Sequence, residues 1–268
     1  MNLFRENIDL GRDLYSKREL YIRLTKAHFF GLCSGSRVGL YWMILGPIIL
    51  LTLYSITYAL VYKVVLPDYS VLQYITSVYA GLILLLSFLN LLSISTSALR
   101  TNFRLRLFGL EIESIPTKIA ITEGIPFAIG LLLLAILSVI SSGKFIHLFF
   151  FPLFLILYFY FLIGVARFMT VFSALFKDVE YIVPYLGIIF LIITPISYIP
   201  SMIPGGVKVL YTFNPLYYFC VFLQKLAING YFDFKFFAVI LLVSSLSPVL
   251  GKRFFKKTLP IVRDSLVQ

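Results

Sequence analysis

Long apolar runs alternate along this chain with short polar, mostly basic stretches. A bilayer core about 30 Å thick takes about 20 apolar residues per helical crossing. Six runs fit that length: 41–62, 71–99, 119–141, 145–170, 182–198 and 234–250. The pattern predicts an all-α integral membrane protein with six transmembrane helices. Residues 1–40 form a cytoplasmic amphipathic interface segment, 41–250 the membrane domain and 251–268 a basic cytoplasmic tail.

Two stretches depart from plain spans. Residues 8–30 read as one interface helix, with Leu10, Leu14, Tyr21, Leu24 and His28 on a stripe that Lys17 interrupts. Such a helix either tethers the chain or also receives a cytoplasmic partner. The second stretch, "TPISYIPSMIPGGVKVLYTFNPLYYF" (194–219), is apolar yet broken by Pro195, Pro200, Pro204, Pro215 and the pair Gly205-Gly206. Irregular backbone at membrane depth persists only where protein or a water-filled cavity covers it. Residues 200–228 are therefore expected to form two short re-entrant helices in the outer leaflet.

Composition agrees: 60% of residues are hydrophobic and 13% charged, and mean hydropathy is +0.96. Of the 23 Lys and Arg, 18 fall in the termini and in the loops after spans two and four, and five fall opposite. The positive-inside rule then puts both termini in the cytoplasm. The net charge of +11 follows from topology and anionic lipid headgroups, so no nucleic-acid partner is expected. The opening residues are too polar for a cleavable signal peptide. Cys33 and Cys220 fall on opposite sides and cannot pair within a chain.

Little here suggests catalysis. None of the 12 acidic residues lies deep within a span; Glu123, about a turn into the third, comes closest. No metal-ligand cluster and no phosphate-cradling loop with its lysine is present, so the chain is expected to hold no metal, cofactor or ATP of its own. Tyr54, Tyr58 and Tyr62 recur every four residues, forming either a sugar-stacking channel stripe or part of the interfacial aromatic belt. Asn90, Ser93 and Ser97 form a second stripe, read as helix packing or path lining. Arg167 either snorkels to the headgroups or holds a lipid phosphate. The aromatics of 145–161 read as lipid-facing bulk.

"RELYIR" (18–23) with Gly39, Trp42 and Pro47, then "FKDVEYI" (176–182), "TPISY" (194–198), "IPGGVKVLYTFNPLYY" (203–218) and "NGYF" (229–232) stand in an order that resembles the permeases of polysaccharide-exporting ABC transporters. The resemblance runs over essentially the whole chain. It implies a homodimer bound to two copies of a separate ATPase, which would hold the ATP and Mg. The substrate would be an undecaprenyl-type lipid-linked polysaccharide, O-antigen first, exported across the inner membrane. Teichoic acid, capsule or a small amphiphile is an alternative cargo, and a non-transport protein of glycan assembly is the rival from another class. On this view Tyr54, Tyr58 and Tyr62 line the channel, and Tyr198, Tyr211, Phe213, Tyr217 and Tyr218 surround its exit. Residues 100–118 form the coupling loop. Arg18, Arg23, Arg104, Arg106, Glu111, Glu113 and Asp178 face the ATPase, although the two glutamates also suit a solvated loop and Asp178 a helix cap.

Overall fold

A computed structural model of the protein describes residues 3–33, 38–57, 69–102, 111–143 and 145–267. Its regular structure is helical, with no strand among the described residues. The helices are α1 (Leu3–Ser16), α2 (Arg18–Cys33), α3 (Trp42–Ser55), α4 (Val71–Asn102), α5 (Ser114–Ser142), α6 (Phe150–Leu175), α7 (Val179–Ile193), α8 (Lys208–Phe213), α9 (Pro215–Asn229) and α10 (Phe234–Val267). Four of them, α4, α5, α6 and α10, are long and apolar enough to cross a membrane. Shorter apolar helices cover Trp42–Leu53 and Val179–Ile193. At 15 residues α7 reaches about 22 Å, and the extended backbone at Thr194 carries the chain on.

Side-chain pairings give the helix directions. Ser87 and Tyr158 hydroxyls meet at 2.8 Å and Ser173 donates to Ser95 O at 3.5 Å, so α4 and α6 run parallel. Ser247 donates to Phe161 O at 3.0 Å, and the Phe168 and Phe254 rings lie 4.7 Å apart, so α10 is parallel to α6. Helix α5 opposes α4, with Gly130 against Ile83 and Glu123 beside Asn90. Helix α7 opposes α4 too: its Phe190 ring lies 5.1 Å from Phe88, and Ile196, just past its end, packs on Gly81. The end of α7 and the start of α10 therefore lie at the same end of the bundle, and residues 194–233 leave and return there. At the other end α1 lies along α10: Asn7 donates to Ser245 O at 3.1 Å and Arg253 meets Glu6 at 2.6 Å.

Three expectations are corrected here. The interface helix is two helices, because the chain turns at Lys17 between α1 and α2. Residues 251–267, expected as a basic tail beyond the sixth span, are helical and continue α10, since Phe255, Leu259 and Val262 recur at helical spacing and are buried. The aromatics of 145–161 are not all lipid-facing. Phe151, Phe154, Tyr158 and Phe161 share one face of α6 and are at most 4% exposed, while Phe149 and Ile156 point outward. The inward face is aromatic because α4, α5, α9 and α10 surround it: Tyr158 donates to Leu84 O at 2.9 Å and its ring sits 4.4 Å from Phe127 and 5.4 Å from Phe219. Apolar content alone does not separate this face from a lipid-exposed one.

The most extensive helix contact is α6 on α10. It is built on small residues: a Cβ added to Gly164 would fall on the main chain of Ser247, and one added to Gly251 would come 2.5 Å from Gly164 O. Close backbone approach of this kind is how helices associate where lipid removes the hydrophobic drive between them.

Candidate functional site

The broken segment builds one end of the molecule. Helix α7 stops at Ile193, Thr194 is extended, and two 3-10 turns, Pro200–Met202 and Gly205–Val207, lead into α8. Asn214 clamps the join. Its Oδ1 accepts the Leu216 N–H at 3.0 Å and so caps α9, with Pro215 at the first helical position; its Nδ2 donates to Ile193 O at 3.0 Å and Thr194 Oγ1 at 3.1 Å. Pro215, one of the breaks in the apolar stretch, thus opens α9. Gln224 Nε2 donates to Pro195 O at 2.8 Å and to Ser77 O at 3.3 Å, and the buried Cys220 thiol donates to Pro195 O at 3.4 Å. Irregular backbone in an apolar setting needs such donors. The roles of Asn214 and Gln224 were missed in the sequence, although a lone amide within an apolar run is the signal that marks them.

Around this scaffold runs a chain of rings. Tyr198 and Tyr211 hydroxyls meet at 3.1 Å, with rings edge-on at 86°. Tyr211 and Tyr217 rings are 6.2 Å apart, Tyr217 and Tyr218 5.3 Å, and Tyr218 and Phe236 5.6 Å. Lys225 lies 4.7 Å from the Phe236 ring and pairs with Asp233 at 2.8 Å. Burial pushes the Asp233 carboxyl up, but Lys225 and the N–H groups of Phe236 and Lys235 outweigh it and hold the carboxyl below its ordinary range. Four of the five expected exit residues thus form one connected rim, and the fifth, Phe213, is 82% exposed. Phe236 is a member the sequence did not mark. Tyr54 lies in α3, but its side chain, with Tyr58 and Tyr62, lies outside the described residues.

At the opposite end, roughly 39 Å away along the 26 residues of α6, charges gather. Lys17, at the α1–α2 turn, pairs with Asp13 at 3.2 Å and with Glu111. The Glu111 hydrogen bond is the largest influence on Lys17 and, with Asp13, raises the ammonium's pKa above its ordinary value against an opposing effect of burial. Glu113 lies 4.0 Å from Lys256 of α10. Both glutamates thus meet lysines of their own chain, where the sequence left them to a partner or to solvent. Arg167 does not snorkel outward: it is 8% exposed and donates to Pro248 O at 3.1 Å. It lines a cavity of about 250 Å³ with Asp9, Asp13, Lys17, Glu113 and Lys252.

The remaining residues expected to face an ATPase differ in setting. Arg18 lies over the Tyr15 ring at 4.4 Å, Arg23 reaches Glu19 at 3.9 Å, and both are exposed; Arg104 and Arg106 lie outside the described residues. Asp178 occupies the N-cap position of α7, yet its side chain accepts no helix N–H. Its backbone is already helical (φ −67°, ψ −17°), and side-chain capping needs an extended residue there. Among the described residues no cluster of three or more His, Cys, Asp or Glu could hold a metal ion.

No family model matches this chain, and no curated protein does.

Proposed function

We propose that the chain is the channel-forming permease subunit of an ATP-driven exporter that carries a lipid-linked polysaccharide, O-antigen foremost, outward across the inner membrane. In this reading α3, α4, α5, α6, α7 and α10 are the six spans, α8 and α9 are the re-entrant pair, and both termini are cytoplasmic. Two such chains bind two copies of a separate ATPase. The observation that carries the reading is the separation of two unlike sites at opposite ends of one bundle. A rim of tyrosines stands where the chain makes its same-end excursion, and a charged cluster joins α1, the 111–113 turn, α6 and α10 at the other end. Aromatic faces stack on sugar C–H groups without demanding a fixed register, which suits a sliding polymer. A charged surface assembled from four elements suits a cytoplasmic motor that pushes on all of them.

The test is genetic and biochemical. Deleting the chain should cause lipid-linked glycan to accumulate on the cytoplasmic face, and the tagged chain should co-purify with an ATPase subunit. No accumulation, or purification free of any ATPase, would overturn the proposal.

A further inference from the structure

We propose that the cavity between α3, α4 and α5 is a binding site for a hydrophobic organic cation, an ammonium or phosphonium on an apolar body, with Glu123 as its counter-charge. The cavity has a volume of about 350 Å³, within the range of small-molecule sites. Glu123 lies in it, 6% exposed, within a membrane-crossing helix. Its neighbour is the Asn90 amide, and none of the ion pairs among the described residues reaches it. A carboxylate buried in apolar surroundings is costly unless it holds a proton or has a cation beside it, and one amide fills only part of its accepting capacity. Ionisable side chains buried on the inner face of membrane-crossing helices mark ligand or ion sites more often than scaffold.

Independent features of the same cavity favour a cation. Pro47 in α3 and Pro126 in α5 deprive the carbonyls four residues earlier, Met43 and Thr122, of their helical donors. All four residues line the cavity, so both proline breaks in the helical ladder fall at its wall. His28 also lines it, and burial, then the Lys118 charge, hold its pKa below the ordinary value, which favours the neutral imidazole. The Trp42, Phe29 and Phe127 rings complete the walls, and aromatic faces attract quaternary cations.

Trp42 is the sole tryptophan of the chain, so its fluorescence reads this cavity directly. The experiment titrates the full chain in lipid nanodiscs with 4-phenylbutyltrimethylammonium. The control is its uncharged isostere, with tert-butyl in place of trimethylammonium. The cation should change Trp42 emission saturably and bind at least about tenfold tighter than the isostere. Glu123→Gln should abolish that preference and leave isostere binding unchanged, and Glu123→Asp should retain it. Equal affinities of cation and isostere for the wild-type chain, or an undiminished preference in Glu123→Gln, would overturn the proposal. Should Glu123→Gln fail to fold, the comparison on wild type and Glu123→Asp decides.

Discussion

Replacing Gly251 by Ala tests whether the α6–α10 crossing holds the bundle together. The new Cβ would lie 2.5 Å from Gly164 O and 3.0 Å from Gly164 Cα, where ordinary contact begins at 3.4 Å. Both offending atoms are backbone, so no rotamer change relieves them, and the helices must part by about 0.9 Å along the contact. Overpacking of this kind costs about 1–3 kcal/mol, which for a chain of this size lowers the melting temperature by roughly 2–10 °C. Cys220 supplies the assay: its thiol is fully buried and reacts with a maleimide dye only when the bundle opens, so heating a Cys33→Ser background with the dye gives the midpoint. The expected order of damage is Gly164→Ala, then Gly251→Ala, then Gly130→Ala, whose Cβ meets a movable Ile83 side chain at 3.1 Å. Gly206→Ala, with nothing within 4 Å, should be neutral. A Gly251→Ala midpoint equal to that of Gly206→Ala would refute the reasoning.

Three further predictions follow from the two ends. Asp233 has a depressed pKa, so its stabilisation is present above its ordinary value near 3.8 and lost as pH falls through the folded value; Asp233→Asn should melt below wild type at pH 7, and the gap should close below about pH 3.8. Lys17→Gln and Glu111→Gln remove the same exposed pair, so the double variant should be no less stable than the worse single, with a coupling under about 1 kcal/mol by a double-mutant thermal cycle. Tyr211→Ala with Tyr217→Ala should cut export of the glycan, measured at the cell surface, without reducing its assembly on the lipid carrier; unchanged export would assign the rim to the lipid interface.

Much of the helix plan was legible because apolar length is a property of sequence. The runs at 71–99, 119–141 and 182–198 reappear as α4, α5 and α7 within a few residues. What sequence did not convey is which apolar face turns inward. In a membrane both faces of α6 are greasy, so Tyr158, which spends its hydroxyl on Ser87 and Leu84 O, looks no different from the outward Phe149 until its neighbours are in place. The rim was legible for the opposite reason: prolines and glycines announce broken backbone, and the tyrosines beside them must collect where it folds. The charged end was half legible. Its basic residues were evident, but the pairing of Lys17 with Glu111 depends on a turn between α1 and α2 that a continuous amphipathic stripe conceals.

Helix α10 touches both ends: Phe236 belongs to the tyrosine rim, and Arg253 and Lys256 reach Glu6 and Glu113. Between them it is held against α6 at Gly251, with no side chain intervening. The two ends are therefore joined by one helix, and Pro248, three residues before that crossing, removes a helical hydrogen bond there, so α10 bends at this point more readily than along its unbroken turns.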